Sequence, residues 1–74
     1  MEESYGAKAV GLSFNPSGDP AVQSVKEKFA DLINCMDGLR EITPNDEVMR
    51  MAEIAITEMQ AAQMWAVKAL TWKD

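Results

Sequence analysis

Two proline-marked helix starts divide this chain of 74 residues. In Asp19-Pro20 and again in Thr43-Pro44, a capping residue stands directly before a proline. Asp or Thr in that place accepts a hydrogen bond from a first-turn amide. Proline is tolerated at the first helical position because it has no N–H to leave unpaired, and it breaks a helix further in. A helix can begin at each place and cannot run through either. The pattern predicts a first helix over 20–39, ending near Gly38. It predicts a second over 44–72, capped by Thr43, with Asp46 and Glu47 placing negative charge at the positive helix end. Residues 1–19 remain as an N-terminal arm and turn. Ala7, Ala9, Val10, Leu12 and Phe14 fit either a short helix or an extended segment. Asn15-Pro16-Ser17-Gly18 suits a type I turn.

The apolar pattern says how these helices pack. Val22, Val25, Phe29, Leu32, Met36 and Leu39 recur at alternating spacings of 3 and 4, a heptad-like stripe that Ile33 widens. A linker of about four residues joins the two helices, so they should form an antiparallel hairpin. At ~1.5 Å per residue the second helix overhangs the first by about 15 Å. One seam of the second helix, Val48, Ala52, Ala55, Met59, Ala62, Ala66 and Ala69, is small enough for close approach to one neighbour. Met51, Ile54, Ile56, Met64, Trp65 and Leu70 point elsewhere. A helix apolar nearly all round is buried in something larger, and a domain of this size buries only about 60% of its unfolded surface. The reading is a single all-α domain over 1–74, a helical hairpin that assembles into a homo-oligomeric bundle.

Several function classes are excluded on composition. The chain has no His and one Cys, Cys35, so an intrachain disulfide and a Cys-based zinc site are out of reach. No nucleophile–base arrangement is present. The expectation is a protein that is not an enzyme and carries no cofactor or metal. No apolar run approaches the ~20 residues of a membrane span. The acidic opening Met1–Tyr5 is unlike a signal peptide, so a cytosolic location is expected. A net charge of -5 argues against duplex nucleic acid, which is bound through many phosphate contacts. A compact nucleotide needs only a local positive spot and stays possible.

The candidate spot is the turn. Orphan amides at a helix start accept anions, and Phe14 can stack on a base. The alternative is plain helix initiation, with Phe14 in the core and Asn15, Pro16 and Ser17 serving only the turn. Lys26 and Lys28 follow the cap closely and Lys8 precedes it. Lysines there oppose the helix dipole, a local conflict that hints at a ligand; the alternative is a solvated face beside Glu27 and Asp31. Tyr5 either stacks on a purine or anchors the arm. Lys68, among Trp65, Ala66, Val67, Ala69 and Leu70, either snorkels to water or meets a phosphate where helices converge. The six methionines read as adaptable packing.

Two segments carry a resemblance. Gly11-Leu12-Ser13-Phe14-Asn15-Pro16-Ser17-Gly18-Asp19-Pro20-Ala21-Val22, followed by Val25-Lys26, resembles the opening of the phage anti-CBASS type two cyclic-oligonucleotide sponges. Glu58-Met59-Gln60-Ala61-Ala62-Gln63-Met64-Trp65-Ala66-Val67-Lys68-Ala69-Leu70-Thr71 resembles their closing helix. The resemblance implies a homohexamer of helical hairpins acting in the cytoplasm of an infected bacterial host. It implies binding of cyclic dinucleotides such as cyclic GMP-AMP between protomers near the N-terminal segments, without cleavage. In some members cyclic trinucleotides bind at separate threefold sites. An aromatic of the N-terminal segment stacks on the bases, a role for Phe14 or Tyr5. A lysine early in the first long helix contacts phosphate and matches Lys26. Lys68 and Thr71 are the candidates for the threefold site, although the chain lacks the arginine expected near its C-terminal end. The competing reading is an oligomeric helical module that inhibits a protein partner without binding nucleotide.

Overall fold

The computed structural model describes residues 3–42 and 44–74. It contains three helices, α1 (Tyr5–Val10), α2 (Pro20–Ile42) and α3 (Asp46–Leu70), and no strand among the described residues. The family resemblance and the periodicity both called for an all-helical chain, and that is what is found. The thinnest dimension of the molecule, 46 × 30 × 12 Å, is about one helix with its side chains. The helices therefore lie nearly side by side, with α2 between α1 and most of α3.

The arm is helical because α2 makes it so. A helix of six residues is too short to hold itself in water. Ser4 caps it, its Oγ accepting from the Ala7 N–H at 3.1 Å. Asn34 of α2 completes the cap: its Oδ1 accepts from the Gly6 N–H at 2.7 Å and its Nδ2 donates to Ser4 Oγ at 3.0 Å. At the other end Gly11 takes a left-handed conformation, φ 63°, and the Leu12 N–H reaches back to the Ala7 carbonyl at 2.9 Å, a Schellman closure. Gly6 sits hard against α2. A Cβ there would overlap the Ala30 carbonyl oxygen and lie 2.8 Å from Asn34 Oδ1.

The long helices differ from the expected boundaries at three of four ends. α2 starts as read: Asp19 Oδ1 accepts from the Ala21 N–H at 2.8 Å. It does not stop at Gly38 or Leu39 but runs on to Ile42. Glycine in a helix interior costs only about 1 kcal/mol, and contacts beyond it oppose that cost. Arg40 Nε donates to Asp37 Oδ1 at 3.0 Å, and its guanidinium lies 5.0 Å from the centre of the Tyr5 ring. α3 begins at Asp46, not Pro44, because Asn45 is the cap; its Oδ1 accepts from the Glu47 and Val48 amides at 2.9 and 3.1 Å. Thr43, the expected cap, lies outside the described residues. α3 ends at Leu70, short of Trp72, where Thr71 turns both its N–H and its Oγ1 onto the Val67 carbonyl. With 23 residues in α2 and 25 in α3, the large overhang is absent; the length difference is only ~3 Å.

The core also shifts. Ile33, expected at the margin of the stripe, is its centre at 0% exposure, while Leu32 is 54% exposed. Ile56, assigned away from the seam of α3, packs with Val10, Ala30 and Ile33. The cause is that α2 has two neighbours. The close approach of Gly6 selects Ala30, and the buried line of α2 runs Val22, Lys26, Ala30, Ile33, rotated from the heptad stripe. No helix among the described residues is long and apolar enough to cross a membrane.

Candidate functional site

The turn forms largely as its residues dictate. The Gly18 N–H donates to the Asn15 carbonyl at 3.1 Å, and Gly18 takes φ 64°. Ser17 Oγ donates to Asn15 Oδ1 at 2.7 Å and accepts from the Asp19 N–H at 3.1 Å. Asn15 Nδ2 donates to the Asp19 carbonyl at 3.2 Å. Its polar groups thus satisfy one another. The helix start beyond it is not an open anion cradle either, because the Asp19 carboxylate already accepts from the Ala21 amide and adds negative charge there.

What the turn does present is Phe14. The ring is 69% exposed, so it is not a core residue. Lys26 holds it in place. This lysine is 6% exposed, and its Nζ donates to the Gly11 carbonyl at 3.0 Å and to the Phe14 carbonyl. The same Nζ lies 5.6 Å from the centre of the Phe14 ring. An ammonium has three protons; two of them clamp the 11–14 loop. Neither a solvated face nor a freely reaching phosphate contact describes Lys26. It is chiefly the clamp that sets where Phe14 stands.

Phe14 and Lys26 stand between two clefts. The larger, about 560 Å³, has Lys8 and α1 on one side and Gln60, Gln63 and Met64 of α3 on the other. The smaller, about 270 Å³, is lined by Asn15, Pro16 and Ser17 with Thr71. Val67 borders both. The fold therefore gathers Phe14, Lys26, Lys8, Asn15, Pro16, Ser17 and Thr71 at one end of the molecule. Two candidates are elsewhere. Tyr5, half-exposed, lies under Arg40 at the far end of α2 because α1 runs antiparallel to it. Lys68 faces a separate depression with Trp65, its Nζ 5.4 and 5.9 Å from the Trp65 and Trp72 rings. Thr71 and Lys68 thus open on different clefts.

Sequence reasoning missed the α3 wall. Gln60, Gln63, Met64 and Val67 follow an i, i+3, i+4, i+7 spacing and so share one face. That signal was legible, but Gln63 interrupts the apolar pattern and did not read as interior; it is in fact 6% exposed. Hydrogen bonds that it donates, first to Tyr5 and then to Asp37, hold the Arg40 guanidinium still more firmly protonated. The Arg50 side chain pulls the Glu47 carboxyl below its usual range. Among the described residues no cluster of His, Cys, Asp or Glu is suited to a metal ion.

A family profile described as Acb2/Tad1, hairpin domain, matches residues 7–71. No curated protein and no solved structure matches the chain. The matched span includes four of the six residues of α1, the turn, both long helices and every residue that lines the two clefts. The chain belongs to the Acb2/Tad1 hairpin family, the anti-CBASS type two sponges.

Proposed function

We propose that this protein binds cyclic dinucleotides in the clefts flanking Phe14 and holds them uncleaved, which withdraws the messenger from CBASS antiphage immunity in the cytoplasm of an infected bacterial host. Family membership supports the class of ligand. The single observation that carries the site is Phe14, an exposed ring fixed at the mouth of two clefts by a buried lysine. Aromatic stacking on a base contributes about 1–3 kcal/mol. Lys8, exposed on α1, adds positive charge to the larger cleft.

A molecule about one helix thick leaves apolar side chains on its faces. Leu32, Met51, Ile54, Met64, Trp65, Leu70 and Trp72 are all exposed, and patches of this kind mark interfaces. Self-association, as a homohexamer in the family reading, accounts for them. A twofold interface also gives a symmetric ligand each contact twice. The same reading extends to cyclic trinucleotide binding near Lys68.

Phe14→Ala tests the site without touching the core. It should weaken binding of cyclic dinucleotides by about 1–3 kcal/mol in calorimetry and leave the melting temperature of the ligand-free protein nearly unchanged. Unaltered affinity removes Phe14 from the site. Ligand recovered after proteolysis should be intact; a linear product would overturn sequestration. The exposed Met64–Trp72 surface favours one other reading, a helical module that inhibits a protein partner. A ligand at 100 times Kd stabilises the native state by about 2.7 kcal/mol, so no thermal shift with any cyclic di- or trinucleotide would favour that module.

A further inference from the structure

We propose that Gln63 reads the base of the bound nucleotide and that adenine is the base it selects; this rests on the nucleotide-binding reading above. Gln63 lies in the third quarter of α3 with 6% of its surface exposed. An amide without a partner in such a place is costly. Among the described residues, no hydrogen bond involves its side chain, and no fully enclosed side-chain nitrogen or oxygen lacks a partner. The amide must therefore open on the space it borders, the cleft of about 560 Å³ that it shares with Phe14, Lys26 and Gln60. The stem is held by packing and the polar tip faces the cleft that Phe14 borders.

The chemistry of that tip is selective. A glutamine amide offers a donor and an acceptor side by side. Adenine presents the complementary pair on both of its hydrogen-bonding edges, N6 with N1 and N6 with N7. Guanine presents two acceptors, O6 and N7, on its outer edge, which suits arginine or lysine, and matches an amide only on the other edge. No arginine lines the cleft, and of its two lysines Lys26 is engaged with the Gly11 and Phe14 carbonyls while Lys8 stands on α1, on the side away from Gln63.

The test is calorimetry of the full chain and of Gln63→Met, which keeps length and shape and removes the amide, against cyclic di-AMP and cyclic di-GMP. A good bidentate pair discriminates by a factor of about 10 or more. The unaltered chain should bind the adenine ligand about tenfold tighter than the guanine ligand, and Gln63→Met should lose most of that gap by weakening the adenine ligand alone. A measurement without any variant is a cyclic dinucleotide whose adenines are replaced by unsubstituted purine, lacking N6; its affinity should fall about tenfold. An unchanged ratio in Gln63→Met, a preference for guanine, or full affinity for the purine ligand each overturns the role of Gln63 and leaves nucleotide binding standing. No binding of either natural ligand by the unaltered chain overturns both.

Discussion

Two lysines lie near aromatic rings in this molecule, and their surroundings are opposite. Lys26 is buried, donates to two loop carbonyls and stands 5.6 Å from Phe14. Lys68 is exposed, has no hydrogen-bond partner among the described residues, and stands 5.4 and 5.9 Å from two exposed indoles. The first lysine uses its charge inside the chain and so fixes where Phe14 stands. The second leaves its charge and its rings on the surface, where only another molecule can complete the arrangement. One chain thus contains a finished wall and an unfinished one. A lysine beside an aromatic ring gives both, because the 11–14 loop closes over Lys26 while, among the described residues, Lys68 stays exposed beside its two indoles.

The sharpest way to break this comparison is Lys26→Met. It strands the Gly11 and Phe14 carbonyls, and hydrogen bonds to a charged group contribute about 1.5–3 kcal/mol each. Urea unfolding should show a loss of roughly 3 kcal/mol, with faster amide exchange in the 11–14 loop. A loss near zero would mean that the clamp is not structural. The next effect comes from the docking of α1. Gly6→Ala must push α1 off the Ala30 carbonyl and should destabilise by about 1–3 kcal/mol. Gly38→Ala, where the added Cβ meets open space, should stabilise by about 0.5–1 kcal/mol. Lys68→Met should change the stability of an isolated protomer by less than about 1 kcal/mol, while Trp65→Ala should lower the assembled mass in light scattering.

The smallest effect is acidic. Arg50 Nε donates to Glu47 Oε2 at 3.1 Å, and the folded carboxyl is held below its ordinary value of 4.5. Its contribution is complete above that value and is lost as pH falls through the lower folded one. The pair is exposed and screened by salt. Melting curves followed from about pH 6 to about pH 3 should therefore show a slight extra loss that Arg50→Gln abolishes. An identical pH profile in that variant would dissociate the ion pair from stability altogether.

The two walls were unequally legible in the residues. Asp19-Pro20 marked the start of α2 correctly because capping is local chemistry. Phe14 and Lys26 were both recognisable as site candidates, yet the burial of Lys26 was not, because nothing within α2 reveals that the 11–14 loop will close over it. Thr43-Pro44 misplaced the start of α3 by two residues, since Asn45 is an equally capable cap and only the chain path chooses between them. Gln63 was hidden by its own polarity. Tyr5 and Phe14 were equivalent aromatic candidates until the antiparallel course of α1 carried them to opposite ends.

The amino-acid sequence by itself determined an all-helical hairpin, the turn at Asn15–Gly18 and the family to which the chain belongs. The hairpin and the turn follow from caps, prolines and periodicity, interactions that span a few residues and need no knowledge of neighbours; the family was legible only through the resemblance of Gly11–Val22 and Glu58–Thr71 to its members. The tertiary structure alone decided that the arm is a helix, that the core centres on Ile33 and Ile56, and that Lys26 and Gln63 are enclosed. Each of those depends on contacts between segments far apart in the chain. Asn34 capping α1 across 30 residues from Ser4 is the plainest instance.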